Sequence, residues 1–359
     1  MPTLRHITGL IPITMRLFYL IGISLLLSLS ACTPKSTDFK HTLYVFGTLV
    51  DITVHDTTQQ QSDAAVDELE KTFQRMHRDW HAWQPGGELY DLNVAIAAGR
   101  SSTLSDFTLP LLTLSTELYH QSGGLFNPAI GRLIALWGFH QDEPPTGAIP
   151  DKLRIAQLVA RHPSMDDLVI EGHNVSSRND SVDLDFGAFA KGYALNMAID
   201  LLAGHGIHNA IVNAGGDLCV AGRHDERPWR IGIRHPQGQG IIAAVNVSDG
   251  ECVMTSGNYE RYREDKGIRY AHIIDPRDGM PVREIVSATV IDTNGGRADA
   301  AATALSVAGP KDWYKVAYDM QLKYVMLVDE SGRVYMNPAM ADRIEFENDT
   351  VLTTISEPL

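Results

Sequence analysis

The first chemistry in this sequence lies in Ala298-Asp299-Ala300-Ala301-Ala302-Thr303-Ala304-Leu305. Asp299 and Thr303 are four residues apart, on one face of a helix that is otherwise small and apolar. A carboxylate and a hydroxyl so placed offer two hard oxygen ligands, which suit magnesium better than zinc. The same spacing also fits Thr303 bonding a carbonyl one turn back and Asp299 stabilising the helix start, so the pattern leaves both readings open. His272, in Arg269-Tyr270-Ala271-His272-Ile273-Ile274-Asp275-Pro276, is either a strand histidine with a structural role or a candidate base. Met254-Thr255-Ser256-Gly257-Asn258-Tyr259 ends another strand in hydroxyls, which an ordinary turn also does.

These residues need a frame, and the stretch from Asp183 to Tyr193 organises it. Val182 and Leu184 alternate with Asp183 and Asp185, the period of a strand. From Ala190 onward apolar residues recur at 190, 193, 194, 197, 198, 201 and 202, which predicts a helix stopped by Gly204 and Gly206. A strand ending in a carboxylate, a turn carrying Gly187, and a helix opening with Lys191 and Gly192 make a place to hold an anion. Such turns also join strands to helices with no ligand at all.

Several common sites are absent. Gly204-His205-Gly206 fails as a dinucleotide fingerprint, because Asn209 stands where the third glycine belongs and the run follows a helix. There is no Walker loop, no His-Glu-x-x-His and no Gly-x-Ser-x-Gly elbow. The net charge of −14 argues against nucleic acid or an anionic lipid surface as the main partner. An anionic substrate would need a cation or a metal to offset that charge. Besides Cys32 only Cys219 and Cys252 remain, so neither a disulfide framework nor a Cys-based metal site is expected. A single bridge between the two stays open outside the cytosol, with two small buried thiols the favoured reading.

Around this frame the sequence predicts a strand over Leu43 to Val54, interrupted at Gly47, and a helix over Asp63 to Met76. That helix would turn Ala64, Val66, Leu69, Phe73 and Met76 inward. A second helix runs from Leu109 to Tyr119, Leu133 to Phe139 is apolar, and Asp142 to Pro150 reads as loop. Strands are expected at 210–213, 218–220, 229–234, 241–247, 251–255, 270–275 and 285–291, with the runs at 241–247 and 251–255 continuing one sheet. The helix over 298–307 should close at Gly309-Pro310, and 324–329 with 333–336 should form a last hairpin. Strands in series with dispersed helices, without sustained βαβ alternation, point to an α+β fold with largely antiparallel sheets.

The amino-terminal part reads as an address. Leu17 to Ala31 is an apolar run behind Arg16, ending Leu29-Ser30-Ala31-Cys32, too short for a comfortable membrane span of about 20 residues. Cysteine in that setting resembles the bacterial lipoprotein signal, in which Cys32 would be lipidated, with an ordinary secretory signal as the alternative. Met15-Arg16 would make a more usual start. Residues 1–31 are thus expected to be the signal, 32–40 a tether, 41–345 the folded domain with room for two subdomains, and 346–359 a polar tail.

Together, Phe46-Gly47-Thr48, Phe126-Asn127-Pro128-Ala129-Ile130-Gly131, Leu136-Trp137-Gly138-Phe139, the 183–193 stretch, Asn213-Ala214-Gly215-Gly216-Asp217, Thr255 to Tyr262, His272 to Pro276 and Ala298 to Thr303 occur in the order of the ApbE family. The chain resembles that family over roughly residues 43 to 340. The resemblance implies a T-fold-like α+β architecture and a magnesium-dependent FAD:protein FMN transferase, often a lipoprotein facing the periplasm. By that resemblance Asp299, Thr303 and the backbone carbonyl of Ala188 hold Mg2+. Phe46 and Trp83 lie against the flavin nucleotide, and Leu125, Phe126, Asn127, Asp185, Lys191 and Ile274 line the same ligand. His272 matches the histidine thought to assist the transfer, with Asp275 or Asp185 to orient it.

The implied partners are FAD and a client protein with an acceptor threonine, a membrane redox-complex subunit, reached from a lipid anchor in the bacterial cell membrane. One departure stands out. The family usually has Asp where this chain has Asn127, and an uncharged residue is common where this chain has Arg132. Two rivals keep the site: an FAD pyrophosphatase giving FMN and AMP, and a lipid-anchored protein that stores FAD.

Overall fold

The computed structural model describes residues 38–141, 145–348 and 350–359, so the expected signal segment, Cys32, most of the expected tether and part of the expected 142–150 loop lie outside the described residues. The folded unit runs from Asp38 to Leu359. Its frame is a nine-stranded sheet whose strands lie in chain order from one edge to the other. They are Phe39–Val45 (β1), Thr48–His55 (β2), Asn209–Ala214 (β3), Asp217–Ala221 (β4), Cys252–Gly257 (β5), Ile285–Asp292 (β6), Tyr324–Asp329 (β7), Val334–Met336 (β8) and Thr353–Ile355 (β9). Every neighbouring pair is antiparallel except β8 and β9, and β9 lies in residues read above as a polar tail. The fold is α+β with largely antiparallel sheets.

Alternation along the strands decides what covers each face. In β7, Val325 and Leu327 join the large core under the helices, while Met326 and Val328 face the other way into a second core. That second core is closed by a separate three-stranded sheet of residues 229–234, 241–247 and 344–346. Residues 241–247 therefore do not continue the main sheet. Their alternation is real, but periodicity cannot say which sheet a strand joins.

On the helical face lie Gln59–Asp79 (α1), Ala190–Gly204 (α2) and Gly295–Asp319 (α3). α1 starts four residues earlier than its apolar pattern, where Thr58 accepts the Gln61 N–H at 3.2 Å, and it buries Ala65 rather than Ala64. α3 is interrupted at Gly309-Pro310, where the sequence predicts its helix to close. Gly309 takes φ 73° and ψ 179°, the chain kinks, and helix resumes to Asp319. No helix among the described residues is long and apolar enough to cross a membrane.

Two further corrections concern covalent and local order. Cys219 and Cys252 are register partners on β4 and β5, and they form a disulfide with Cα atoms 4.0 Å apart. Adjacency across two strands overrides the expectation of separate thiols, and nothing in their spacing of 33 residues announces it. Residues 182–185 are extended, with one bridge between Asp183 and Ile130, but belong to no strand.

Candidate active site

Antiparallel order brings the β1–β2 turn, the β3–β4 turn, the end of β5 and the start of β6 to one end of the sheet. Phe46 and Gly47 form the first of these turns, both at positive φ (57° and 71°), the backbone that a tight two-residue hairpin requires. At the same end the extended 183–185 segment is clamped from both sides. Asp183 and Asp185 donate their N–H groups to Ala129 and Pro128, and Gly131 donates to Asp183. The Asn93 side chain brackets Leu184, donating to its carbonyl at 2.9 Å and accepting its N–H at 2.7 Å.

α2 and α3 then approach as closely as backbone allows. A Cβ on Gly192 would lie 2.1 Å from the Gly295 carbonyl oxygen, so only glycine fits. The Gly192 N–H consequently reaches the Asp299 carboxylate at 3.0 Å. One turn further along α3, the Thr303 hydroxyl stands 3.5 Å from the Ala188 carbonyl and 3.2 Å from the Ser256 hydroxyl. Both bland alternatives for this pair therefore fail: Asn294 caps the helix, and Thr303 faces across to other segments.

The charges around this point are out of balance. Burial, with the Asp217 charge, pushes Asp299 up to about 7 even though Lys191 and the Gly192 N–H favour its anion. Crowding by protein atoms, Asp217 and Asp299 pushes Glu260 up to about 7 as well. Lys191 is bonded to Asp217, whose other oxygen accepts the Thr255 N–H at 2.9 Å. Burial alone would lower the Lys191 pKa, but Asp217, Asp299 and Glu260 outweigh it and hold the ammonium charged. Three carboxyls thus surround one ammonium beside a hydroxyl and a carbonyl. Such an oxygen-only, anionic donor set fits a hard divalent cation.

A wall of rings leads into the same end. Phe46 contacts His77 at 6.2 Å, His77 contacts His81 at 5.3 Å, His81 contacts Trp83 at 4.3 Å, and Trp83 stacks on His140 at 4.5 Å. His140 in turn binds the buried Asp185 carboxylate at 2.8 Å. Burial would raise Asp185, yet His140 more than compensates and holds it below the usual carboxylate range.

His272 is oriented by neither Asp275 nor Asp185, the two partners expected above. Asp275 is taken by Arg277 and Asp185 by His140. The His272 Nδ1 instead lies 3.2 Å from the Arg261 carbonyl. A carbonyl only accepts, so Nδ1 carries the proton and Nε2 is left as the base. Crowding and the Arg261 guanidinium push the ring down to about 4, so it is neutral near pH 7. Lys191 and Asp185 are both within its electrostatic reach.

The remaining residues expected here divide into two groups. Phe46, Trp83 and Leu125 are half-buried and present side chains at this end, whereas Phe126 and Ile274 are buried in the core. Only the backbone of those two could face a ligand. Asn127 donates to the Pro163 carbonyl and accepts the Ala129 N–H, both at 3.0 Å. An aspartate could not make the first bond, which gives the departure at this position a local reason. Arg132 bonds the Asp180 carbonyl. Residue types alone did not single out His140, Arg261, Glu260 or Asn93, whose parts depend on contacts distant in sequence.

Fold and site define a class: an α+β protein with an acidic cluster of oxygen donors flanked by aromatic rings and a neutral histidine. The ApbE family model matches residues 46–326, and the chain belongs to that family. A relative from Rhodobacter capsulatus, named FAD:protein FMN transferase, is 45% identical over 313 residues, covering 87% of this chain. The chain spans only 60% of that relative's length. The solved ApbE protein of Thermotoga maritima matches with a TM-score of 0.76 at 28% identity, covering 83% of this chain and 96% of its own. The flavin transferase ApbE from Vibrio cholerae matches with a TM-score of 0.76 at 26% identity, covering 86% and 100%.

Proposed function

We propose that this protein transfers FMN from FAD to a threonine hydroxyl of a client protein and releases AMP. The observation that carries the reading is the meeting of the Thr303 hydroxyl, the Ala188 carbonyl and the Asp299 region beside a neutral histidine whose free nitrogen is Nε2. The names of the relatives give the substrate class. Magnesium would be held by Asp299, Thr303 and the Ala188 carbonyl. When bound it would supply positive charge to a pyrophosphate that an acidic protein otherwise repels.

The chain's own residues divide the remaining work. Phe46 and Trp83 offer ring faces to the flavin, with His140 held behind Trp83 by Asp185. Lys191, charged and fixed by Asp217, attracts the phosphates from the start of α2. Nε2 of His272 accepts the proton of the client threonine as its oxygen bonds to the FMN-side phosphorus. The bond from that phosphorus to the AMP phosphate breaks, and AMP departs with the electron pair.

The address belongs to the same proposal. Lipidation at Cys32 would hold the protein on the bacterial cell membrane facing the periplasm, near membrane redox subunits as clients. The Cys219–Cys252 bridge fits such an oxidising compartment.

The test measures AMP and client-bound flavin with FAD, magnesium and a threonine-bearing client domain. AMP together with covalent FMN is the expected result. AMP without a client would make water the acceptor, and FAD bound with no AMP under any condition would leave a storage protein.

A further inference from the structure

The opposite end of the sheet holds a second cluster of chemistry-bearing side chains. Asp38 precedes β1, His55 ends β2, and His224 lies in the turn after β4. β2 is eight residues long, so His55 lies roughly 23 Å along the strand from the Thr48 end, at about 3.3 Å per residue. His55 is 3% exposed, and its Nδ1 is 2.8 Å from the Asp38 carboxylate. The His224 Nε2 is 3.2 Å from the same oxygen of Asp38. The two imidazoles stack with centroids 4.5 Å apart. Behind them Asp225 brings one oxygen 3.0 Å from the His55 Nε2 and the other 3.6 Å from the His224 Nδ1.

Two carboxylates thus bracket two stacked imidazoles. A neutral imidazole has one N–H, yet His55 faces a carboxylate oxygen at each nitrogen. The tautomer with Nδ1–H donates to Asp38 and lets Nε2 accept the Asp225 N–H at 3.3 Å, but the Asp225 carboxylate oxygen then lies against that same lone pair. The His224 Nδ1 is shut from solvent and makes no hydrogen bond. Protonating both rings would stack two like charges face to face. A divalent ion removes the conflict at once, because it takes the lone pairs of the His55 Nδ1 and the His224 Nε2 together with an Asp38 oxygen. The His224 Nδ1 would then carry its proton towards Asp225, the outer carboxylate that commonly orients metal-bound histidine.

We infer that Asp38, His55 and His224 form a binding site for a divalent transition cation of the zinc class, separate from the cleft. The three donor atoms lie within 4.8 Å of one another. Tetrahedral ligands at about 2.1 Å stand roughly 3.4 Å apart, so a small outward shift accommodates the ion. Two nitrogens and one oxygen select zinc over magnesium. The Asp38 side chain is 32% exposed, which gives the ion a way in and leaves a fourth position for water. An ion there ties the start of β1 to the end of β2 and the turn after β4.

The test uses the full chain, stripped of metal and titrated with Zn2+ alone by calorimetry, then with Co2+ for its tetrahedral absorption. One tightly bound equivalent is expected, with a rise in Tm, and His224→Ala should weaken it by roughly 100-fold or more. Asp299→Ala should keep the equivalent, and His224→Ala should keep flavin transfer. Because His55 is buried, His55→Gln is informative only if it folds, and His224→Ala decides. No bound equivalent, binding unchanged in His224→Ala, or binding lost only in Asp299→Ala would each overturn the inference. The first of these would leave the rings bridged by protons.

Discussion

The two ends of one sheet hold opposite kinds of chemistry. At the cleft end the donors are oxygens: Asp299, Thr303, Ser256 and the Ala188 carbonyl, crowded by Asp217 and Glu260. At the far end two stacked imidazoles are bracketed by Asp38 and Asp225. Carboxylates crowd both ends, but the oxygen donors of the first suit the hard ion proposed there and the imidazoles of the second suit a softer one. Strands β1 to β4 run between the two, carrying Phe46 and Asp217 to the first end and His55 to the second, because antiparallel order puts successive connections at opposite ends of the sheet. Site chemistry here follows from which loop a residue occupies, not from which strand it follows.

The sharpest way to break that contrast is Asp299→Ala. Turnover should vanish, since the magnesium proposed there would contribute several kcal/mol, about 10^3-fold or more. His224→Ala should leave turnover unchanged, and if the two variants fell together the ends would not be independent. His272→Ala comes next, with an expected loss of about 10^2- to 10^4-fold in kcat. Because the ring is pushed down to about 4, its neutral form persists well below pH 6.5. The acid limb of the rate profile due to this base should therefore fall near pH 4. A limb at pH 6.5 that is absent in His272→Ala would show an ordinary exposed histidine. The stability sign runs the same way: a depressed histidine makes the unfolded chain the better proton binder, so this group's contribution is lost as pH falls from 6.5 towards 4.

Much of the cleft was legible because its residues are local. Asp299 and Thr303 share a helix face, Lys191 opens a helix, and Gly192 marks a close approach that the structure locates at Gly295. The alternating strands were legible for the same reason. What was hidden depends on contacts across long stretches of chain. The Arg261 carbonyl fixes His272, and His140 bonds Asp185 across 45 residues. The disulfide, the sheet that residues 241–247 join, and the box of Asp38, His55 and His224 all arise from register between strands far apart in sequence. Periodicity reports which face a residue takes, but not the neighbour it meets there.

Between the two ends lies the Cys219–Cys252 bridge, and its loss should affect both alike. The loop it closes spans 33 residues, for which chain entropy gives about 3–4 kcal/mol. Cys219→Ser with Cys252→Ser should lower the stability to denaturant by that amount. Zinc affinity and transfer rate should stay near those of the parent protein wherever the variant is folded. A selective loss at one end would show that the bridge positions that end rather than restraining the unfolded chain.

The smallest effect concerns one atom at the cleft end. Asn127 holds its turn by donating to the Pro163 carbonyl and accepting from the Ala129 N–H. Asn127→Asp keeps the size and the second bond but sets a carboxylate against the Pro163 oxygen. A lost hydrogen bond at a half-buried position is worth about 1 kcal/mol, and the added negative charge also opposes FAD. The expected result is a fall of about 1 kcal/mol in stability and a several-fold rise in KM for FAD, with little change in kcat. If stability holds while kcat drops, Asn127 touches the reacting groups rather than supporting the turn. The far end serves as the internal standard, since zinc binding at His55 and His224 should not respond to this substitution at all.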